Sequence, residues 1–180
     1  MSLLTVGHGP LDRDSLAALL TGAGVELLVD VRRFPGSRNN PDVKREAVEE
    51  WSAAAGITYV WEPRLGGRRH LGKDADAASP DQWWRVAAFR AYAGYTRTEG
   101  FTAAMDDLVA RTRDQRVAVM CSESVWWRCH RRLIADVAAL GRGLDVAHLM
   151  PTGVLSTHVT SAGARRTGDG TLVWDGTDET

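Results

Sequence analysis

The sequence predicts an α/β fold, a three-layer sandwich with a mostly parallel central sheet flanked by helices. Short apolar runs alternate with amphipathic stretches along most of the chain, a pattern typical of parallel strands joined by crossover helices. A length of 180 residues suits one domain that buries roughly two-thirds of the surface of its unfolded chain. No repeat or linker divides the chain. We therefore expect a single domain over residues 1–180, with a Gly-, Thr- and Ser-rich C-terminal extension at 151–180.

The predicted strands are short apolar runs bounded by turn residues. Five of them belong to the central sheet, and the last is the one strand predicted in the extension. They cover residues 3–6, 26–31, 57–61, 116–120, 145–149 and 171–174.

The predicted helices combine apolar residues at helical spacing with a capping residue at the start. Asp12, Asp42 and Thr98 are the predicted N-caps of three helices, and Ser79 before a proline marks the start of another. A last helix is predicted over 128–140. Residues 62–79 are rich in glycine and basic residues and show no apolar period, so they are predicted to form a long functional or mobile loop.

Composition and charge exclude several classes of protein. The chain carries 22 Lys and Arg against 23 Asp and Glu, so it lacks the global positive field of a protein that coats nucleic acid. Only Lys44 and Lys73 are lysines, and seven residues are Trp. Arginine and tryptophan make planar, directed contacts, although a GC-rich genome would also favour arginine.

The sequence has no signal peptide and no apolar run of the roughly 18 residues that span a bilayer, which predicts a cytoplasmic protein with no membrane partner. Two cysteines are too few for a secreted disulfide framework or a four-thiolate zinc site. No cofactor is predicted. The sequence does not specify an oligomeric state.

Reactive and anion-binding residue types collect where the predicted strands end, the edge at which open parallel sheets bind ligands. Cys121 follows a buried strand directly and precedes a helix, so backbone N–H groups and the helix dipole would stabilise its thiolate. Positive charge from Arg128, His130 and Arg131 would add to this effect. Cys121 is therefore the candidate nucleophile. The alternative is an inert thiol that closes a strand.

The other strand ends supply candidate helpers. His8 is a candidate acid or base, although the glycines around it also suit a simple turn. Asp30 and Arg32 either reach a shared site or form a structural ion pair. Glu123 is a candidate acid or base that would repel a bound anion, and His130 could assist Cys121.

Cys129 has Leu133 four residues on, on the apolar face of the predicted helix, which favours a packed core thiol. Two alternatives stay open. Cys129 could form a reversible disulfide with Cys121, or join Cys121, His130 and His8 in a metal site whose spacing matches no common zinc motif.

Two kinds of partner are predicted. Arg32, Arg128 and Arg131 would hold a small anionic ligand. Alternatively, Arg68 in the basic run 64–70 and Trp127 beside Arg128 would bind a nucleotide or nucleic acid, as in DNA repair or modification, without covalent catalysis. In a third reading, the strand-end residues only hold the sheet together.

Three segments together resemble the bacterial family DUF 488: Thr5-Val6-Gly7-His8, Val29-Asp30-Val31-Arg32, and Cys121-Ser122-Glu123 through Cys129-His130-Arg131. This resemblance brings no established activity. The layout of Asp-Val-Arg followed by strand, Cys, loop and helix is also similar to rhodaneses and cysteine-dependent phosphatases. That similarity implies Cys121 as nucleophile and Arg128 as the anion-binding arginine, although the spacing between them is one residue longer than in the phosphatases and the loop lacks their glycines.

Overall fold

The structure is a computed structural model that describes residues 1–176, so residues 177–180 of the predicted extension lie outside it. Within residues 1–176 the strands form a six-stranded and a two-stranded sheet. The strands are β1 (Ser2–Gly7), β2 (Leu27–Asp30), β3 (Thr58–Trp61), β4 (Val117–Cys121), β5 (Asp145–Leu149), β6 (Leu155–Thr157), β7 (Ala164–Arg166) and β8 (Leu172–Trp174). Helices cover both faces of the mostly parallel larger sheet, which confirms the predicted fold class.

The order of strands in the large sheet is β3-β2-β4-β1-β5-β6. Strands β1 to β5 are parallel, and β6 runs antiparallel to β5. Gly7 is in register with Cys121, and Asp30 is in register with both Met120 and Trp61. The carboxyl ends of β1, β2, β3 and β4 therefore meet at one edge of the sheet.

The helices are α1 (Arg13–Gly22), α2 (Arg45–Ala54), α3 (Lys73–Ala77), α4 (Ala87–Tyr95), α5 (Glu99–Arg111) and α6 (Arg131–Asp136), and α6 continues as a π-helical turn over Val137–Gly141. Two predicted N-caps are confirmed, because Asp12 accepts from the Ser15 amide and Thr98 from the Phe101 amide. In the described part of the chain no helix has the length and apolarity to cross a membrane.

Each face of the large sheet buries its own core. On one face, α1 and α2 contribute Leu16, Leu20, Val48 and Trp51. The other core lies beneath α4, α5 and α6 and includes the fully buried Trp174 of β8. Burying each large apolar side chain stabilises the fold by about 1.5–3 kcal/mol, so the two cores fix the sheet edge that carries the polar residues.

The predicted cap at Asp42 is wrong. Asn40 caps a 3₁₀ turn at Pro41–Val43 instead, and α2 begins at Arg45 without a side-chain cap. The Asp42 carboxylate accepts from Arg13 Nε at 3.0 Å, so a contact between distant segments uses the group that local sequence would assign to capping.

The predicted helix start at Ser79 is also wrong, since α4 begins at Ala87. Asp81 is fully buried, and its carboxylate accepts from Arg97 Nη2 at 2.6 Å and from the Trp174 amide at 3.1 Å. These bonds hold residues 79–86 in an irregular conformation. The buried Asp81 carboxylate must be hydrogen-bonded, and this requirement outweighs the helical propensity of the segment.

Three further segments differ from their predictions. Residues 62–79 contain a 3₁₀ turn (Pro63–Leu65) and the short α3, which Arg90 ties to α4 through the Asp76 carboxylate. The last helix begins only at Arg131, because Trp126–Arg128 forms a separate 3₁₀ turn. Where one strand was expected in the extension, β6, β7 and β8 are found, and β6 joins the large sheet.

A buried hydrogen-bonded chain joins β1, β5, α6 and β8. Thr5 Oγ1 lies 2.7 Å from His148 Nδ1, and His148 Nε2 lies 3.0 Å from His158 Nδ1. His158 Nε2 then contacts Asp136 Oδ1 at 2.9 Å, and Asp136 Oδ2 accepts from Trp174 Nε1 at 2.8 Å. These polar groups are satisfied by each other, which fixes the relative positions of four elements.

Candidate functional site

The carboxyl edge of the sheet opens into a pocket of about 190 Å³. This volume is below the roughly 300–1,000 Å³ of pockets for drug-sized ligands, so it suits a small molecule or ion. Its walls come from the segments after β2, β3 and β4 and from the residues before α6. They are Arg32, Arg33, Phe34, Gly67, Arg68, Cys121, Ser122, Glu123, Cys129 and His130.

The two cysteines lie side by side in the pocket wall. Cys121 is the last residue of β4, and Cys129 follows the 3₁₀ turn, so the loop between them doubles back. Their Sγ atoms are 2.8 Å apart, and both cysteines are free. Cys129 is buried, as its predicted packing requires, at 5% exposure, and it is also in contact with Cys121.

The surroundings of the two thiols are unequal. Burial by itself opposes ionisation of Cys129, but hydrogen bonds from the Cys121 thiol and from His130, with the positive charge of His130 and Arg131, hold its pKa well below the ordinary value. Burial and the adjacent Cys129 raise the pKa of Cys121 well above its ordinary value. The surroundings therefore favour ionisation of Cys129 over ionisation of Cys121.

His130 contacts Cys129 directly. Its Nδ1 lies 3.4 Å from Cys129 Sγ, while its buried Nε2 has no hydrogen-bond partner in residues 1–176. Gly67 permits this position, because a Cβ atom at residue 67 would lie 2.8 Å from His130 Nδ1. The ring also packs edge-on against Tyr92. His130 is therefore held with Nδ1 at the sulfur atom of Cys129.

Asp30 and Arg32 form a buried ion pair, one of the two predicted alternatives. Arg32 donates from Nε to Asp30 Oδ1 at 2.8 Å and from Nη2 to Oδ2 at 2.6 Å. Tyr59 Oη donates to the same carboxylate at 2.7 Å, and burial first, then the charge of Asp30, raises the Tyr59 pKa. Asp30 is behind Arg32 and does not line the pocket.

His8 also lies behind Arg32. Its Nε2 accepts from Arg32 Nη1 at 3.3 Å, and its Nδ1 donates to the Gly9 carbonyl at 2.9 Å. Burial lowers the pKa of His8, and the positive charge of Arg32 lowers it further. The neutral ring therefore positions Arg32 and is not among the residues that line the pocket.

Arg131 is buried beneath the cysteine loop, at 1% exposure. Its guanidinium donates from Nη2 to the carbonyl of Glu123 and from Nη1 to Thr5 Oγ1 at 3.4 Å. It does not line the pocket, but its charge reaches Cys129 and favours the thiolate. Gly7 admits this arrangement, since a Cβ there would lie 1.8 Å from the Glu123 carbonyl oxygen.

Two guanidinium groups at the mouth of the pocket carry charge that no carboxylate neutralises in residues 1–176. Arg33 donates to the Arg68 carbonyl at 3.0 Å, and both side chains approach the Phe34 ring, at 5.3 and 5.9 Å from its centroid. Arg68 has a φ of 59°, an uncommon backbone conformation for a residue with a side chain. Glu123 also lines the pocket but forms no ion pair with either arginine in residues 1–176.

Other sequence-predicted residues lie elsewhere. Arg128 is exposed at the end of the 3₁₀ turn, and Trp127 is 47% exposed; neither lines the pocket. In the basic run 64–70, Arg64 pairs with Glu62 at 2.6 Å, and Arg69 lies 3.7 Å from the Tyr95 ring centroid. Of the arginines in this run, Arg68 alone faces the pocket.

The pocket therefore combines predicted and unpredicted residues. Of the candidate residues, Cys121, Glu123, His130 and Arg32 line it, and so does Arg68, which the sequence pattern assigns to a nucleic-acid surface. Further lining residues were not assigned to the site: Arg33, Phe34, Gly67, Ser122 and Cys129. Two of these residues could have been found from the sequence, because Arg33 adjoins the candidate Arg32 and Gly67 forms a glycine pair with Gly66. Among residues 1–176 no group of three or more His, Cys, Asp or Glu side chains is placed to hold a metal ion.

Comparison with known proteins identifies one family. The family model described as "Domain of unknown function DUF488" matches residues 12–138. No curated protein and no solved structure matches the chain. The similarity in layout to rhodaneses and cysteine-dependent phosphatases is not shown by these comparisons. The matched range covers α1 to α6 and contains most of the pocket-forming segments.

Proposed function

Because the chain belongs to the DUF488 family, which is defined by a domain of unknown function, we propose its activity from its own pocket: cysteine-dependent group transfer on a small anionic substrate. Cys129 is the proposed nucleophile, whereas the sequence pattern pointed to Cys121. His130 and Cys121 activate it, and Arg33 and Arg68 bind the anion. Arg32, Arg131, Asp30 and His8 are positioning residues.

One observation carries this proposal. Cys129 Sγ lies between Cys121 Sγ at 2.8 Å and His130 Nδ1 at 3.4 Å, in the wall of a pocket with arginines at its mouth. A thiolate is the reactive form of cysteine, and adjacent positive charge and hydrogen-bond donors are what stabilise it. Separate positive charge attracts an anionic substrate, because the guanidinium groups of Arg33 and Arg68 line the same pocket and have no carboxylate partner in residues 1–176.

The reaction follows from this arrangement. The Cys129 thiolate bonds to the electrophilic atom of the substrate, and the bond from that atom to its leaving group breaks. The leaving group departs with the electron pair, and His130 is near enough to supply a proton to it. Arg33 and Arg68 stabilise negative charge that develops on the substrate.

The test is the pH dependence of alkylation by iodoacetamide. We expect Cys129 to react with an apparent pKa well below the free-thiol value of about 8.5, and Cys129→Ser to abolish the reaction at neutral pH. Sulfate should protect Cys129, less so in Arg33→Ala and Arg68→Ala. Arg113→Ala, an exposed change near the opposite end of β4, is the matched control and should keep the protection. An apparent pKa at or above 8.5 contradicts the proposal.

A second candidate is nucleotide binding without covalent chemistry. Phe34 is 61% exposed at the pocket mouth, and the guanidinium groups of Arg33 and Arg68 lie 5.3 and 5.9 Å from its ring centroid. An aromatic face beside arginines suits a stacked base with its phosphate in the pocket. Filter binding of single- and double-stranded DNA at several salt concentrations decides this candidate. No binding at low salt, or unchanged binding in Phe34→Ala, removes it.

A further inference from the structure

The function of Cys121 is not explained by activation of Cys129 alone. A hydrogen bond to a thiolate could come from a hydroxyl or an amide, yet this position holds a second thiol 2.8 Å from the first. The two sulfur atoms need only a small movement to bond. Both residues lie in the pocket wall, so an oxidant that enters the pocket reaches them.

The two thiols are suited to different steps. Cys129 combines thiolate character with contact to the pocket, which makes it the first thiol to react with an electrophile. Cys121 is 2% exposed, and the Cys129 sulfur is its nearest polar contact. It is therefore placed to react with whatever forms on Cys129.

We propose that Cys121 and Cys129 form a redox-active dithiol that reduces a small hydroperoxide, with Cys129 attacking and Cys121 resolving. This inference rests on the proposed function, because it uses the same nucleophile. It goes beyond that function by adding a second reaction of the same nucleophile, with a neutral hydroperoxide in place of the anionic substrate, and it gives Cys121 a catalytic role.

The steps balance as follows. The Cys129 thiolate attacks the terminal oxygen of the hydroperoxide, the O–O bond breaks, and an alkoxide or hydroxide leaves and takes up a proton. Cys129 is now a sulfenic acid, oxidised by two electrons. Cys121 attacks its sulfur atom, forming a Cys121–Cys129 disulfide and releasing water that carries the thiol proton. An external thiol reductant returns both cysteines to their starting state by exchange.

The pocket favours this chemistry over a reaction that stops at the sulfenic acid. A hydroperoxide is small enough for about 190 Å³, and the guanidinium groups of Arg33 and Arg68 stabilise the negative charge on the leaving oxygen. The second thiol is in contact before oxidation, so disulfide closure requires no rearrangement of the loop and should outpace further oxidation.

The experiment treats the reduced full-length protein with an equimolar amount of hydrogen peroxide in the presence of dimedone, which traps sulfenic acids. Intact mass spectrometry should show that the wild-type protein loses two hydrogen atoms and carries little dimedone. Cys121→Ser should instead carry a dimedone adduct on Cys129, at least tenfold above the wild-type amount. Cys129→Ser should show neither product at the same dose.

The wild-type protein alone keeps the inference falsifiable if a variant does not fold. A non-reducing gel must show the oxidised protein as a monomer, and peptide mapping must link Cys121 to Cys129. A covalent dimer overturns the inference. A gain in mass from added oxygen atoms, with no disulfide between Cys121 and Cys129, also overturns it. If iodoacetamide shows a reactive Cys129 but no disulfide forms, only the redox role of Cys121 fails. If Cys129 does not react with iodoacetamide, the proposed function fails as well.

Discussion

Asp30 is a candidate catalytic residue from the sequence, but in the structure it positions Arg32. A carboxylate at a strand end is a candidate acid or base from sequence. In the structure its two oxygens accept from the buried Arg32 and the half-buried Tyr59. Arg32 is thereby held with its guanidinium at the pocket wall, and His8 accepts from its remaining edge.

We predict that Asp30→Asn destabilises the protein by about 3–5 kcal/mol, because it leaves the buried Arg32 charge without a partner. Tyr59→Phe is the matched control, since it removes one hydrogen bond to the same carboxylate and should cost only about 1 kcal/mol. Urea unfolding measures both. Equal losses for the two variants would show that the charge of Arg32 is compensated elsewhere.

The pocket residues could be predicted from sequence where they lie at the ends of strands, but not where they lie in loops. Cys121 and Asp30 end buried strands and Arg32 follows one, so the parallel register brings them to one edge, where Cys121 and Arg32 line the pocket. Phe34 lies in a segment without an apolar period, and Cys129, predicted in a helix over 128–140, lies in the loop before α6. Their positions depend on how the loops fold back, which is set by contacts such as Arg131 with the Glu123 carbonyl.

At the scale of elements, the segment after β3 controls the geometry of the cysteine pair. This segment carries Gly67, which lies against His130, and Leu65, which is fully buried and accepts from Tyr92 Oη through its carbonyl. A loop fixed in this way acts as a wall of the pocket. Its glycine is needed for the close approach rather than for an unusual φ.

Gly67→Ala should therefore displace His130 from Cys129. Losing this hydrogen bond should raise the apparent pKa of Cys129 alkylation, because the bond from His130 is one of the contacts that lower it. Gly72→Ala is the control, because a Cβ there meets nothing within 4 Å, and it should leave the alkylation profile unchanged. An unshifted profile in Gly67→Ala would mean that His130 does not stabilise the thiolate.

Element boundaries were predictable where local chemistry decides them. Asp12 and Thr98 each cap the helix that follows, as their side chains favour. Ser79 and Asp42 have the same chemistry but do not start α-helices. Asp81 near Ser79, and Asp42 itself, are bound by Arg97 and Arg13 from distant segments, and sequence alone does not reveal such partners.

At the scale of the whole molecule, the buried hydrogen-bonded side chains that connect Thr5 to Trp174 join elements that are far apart in the sequence. His148 is central among these side chains, 1% exposed and stacked on the Trp126 ring at 3.9 Å between centroids. Burial lowers the His148 pKa to about 3, and the positive charge of His158 and Arg131 contributes. This row of hydrogen-bonded side chains could not be predicted from the sequence, because it connects four separate elements.

The stability of the protein should consequently fall in mild acid. The folded pKa of His148 is about 3 and the unfolded value is about 6.5, so below pH 6.5 the unfolded chain binds a proton that the folded chain does not. This stabilisation is fully present above pH 6.5 and is lost as the pH falls from 6.5 towards 3. The lowered pKa of His8 acts in the same direction.

Urea unfolding between pH 8 and 5 measures the effect. We expect a loss of roughly 1 kcal/mol per pH unit below 6.5, a shallower slope in His148→Gln, and the wild-type slope in His70→Gln, which changes an exposed histidine. Stability that stays constant from pH 7 to 5 would contradict the lowered pKa of His148.

The central position of β1 has a consequence for synthesis of the chain. Leu3 pairs with Val117 on one side and Val146 on the other, so β1 is synthesised before either of its partner strands. At translation rates of about 5–20 residues per second, its apolar residues remain without a sheet for on the order of 10 s. During that interval the nascent chain presents an unpaired strand, the state in which β-proteins aggregate. Production of this protein should therefore depend on chaperone capacity more than its folded stability suggests.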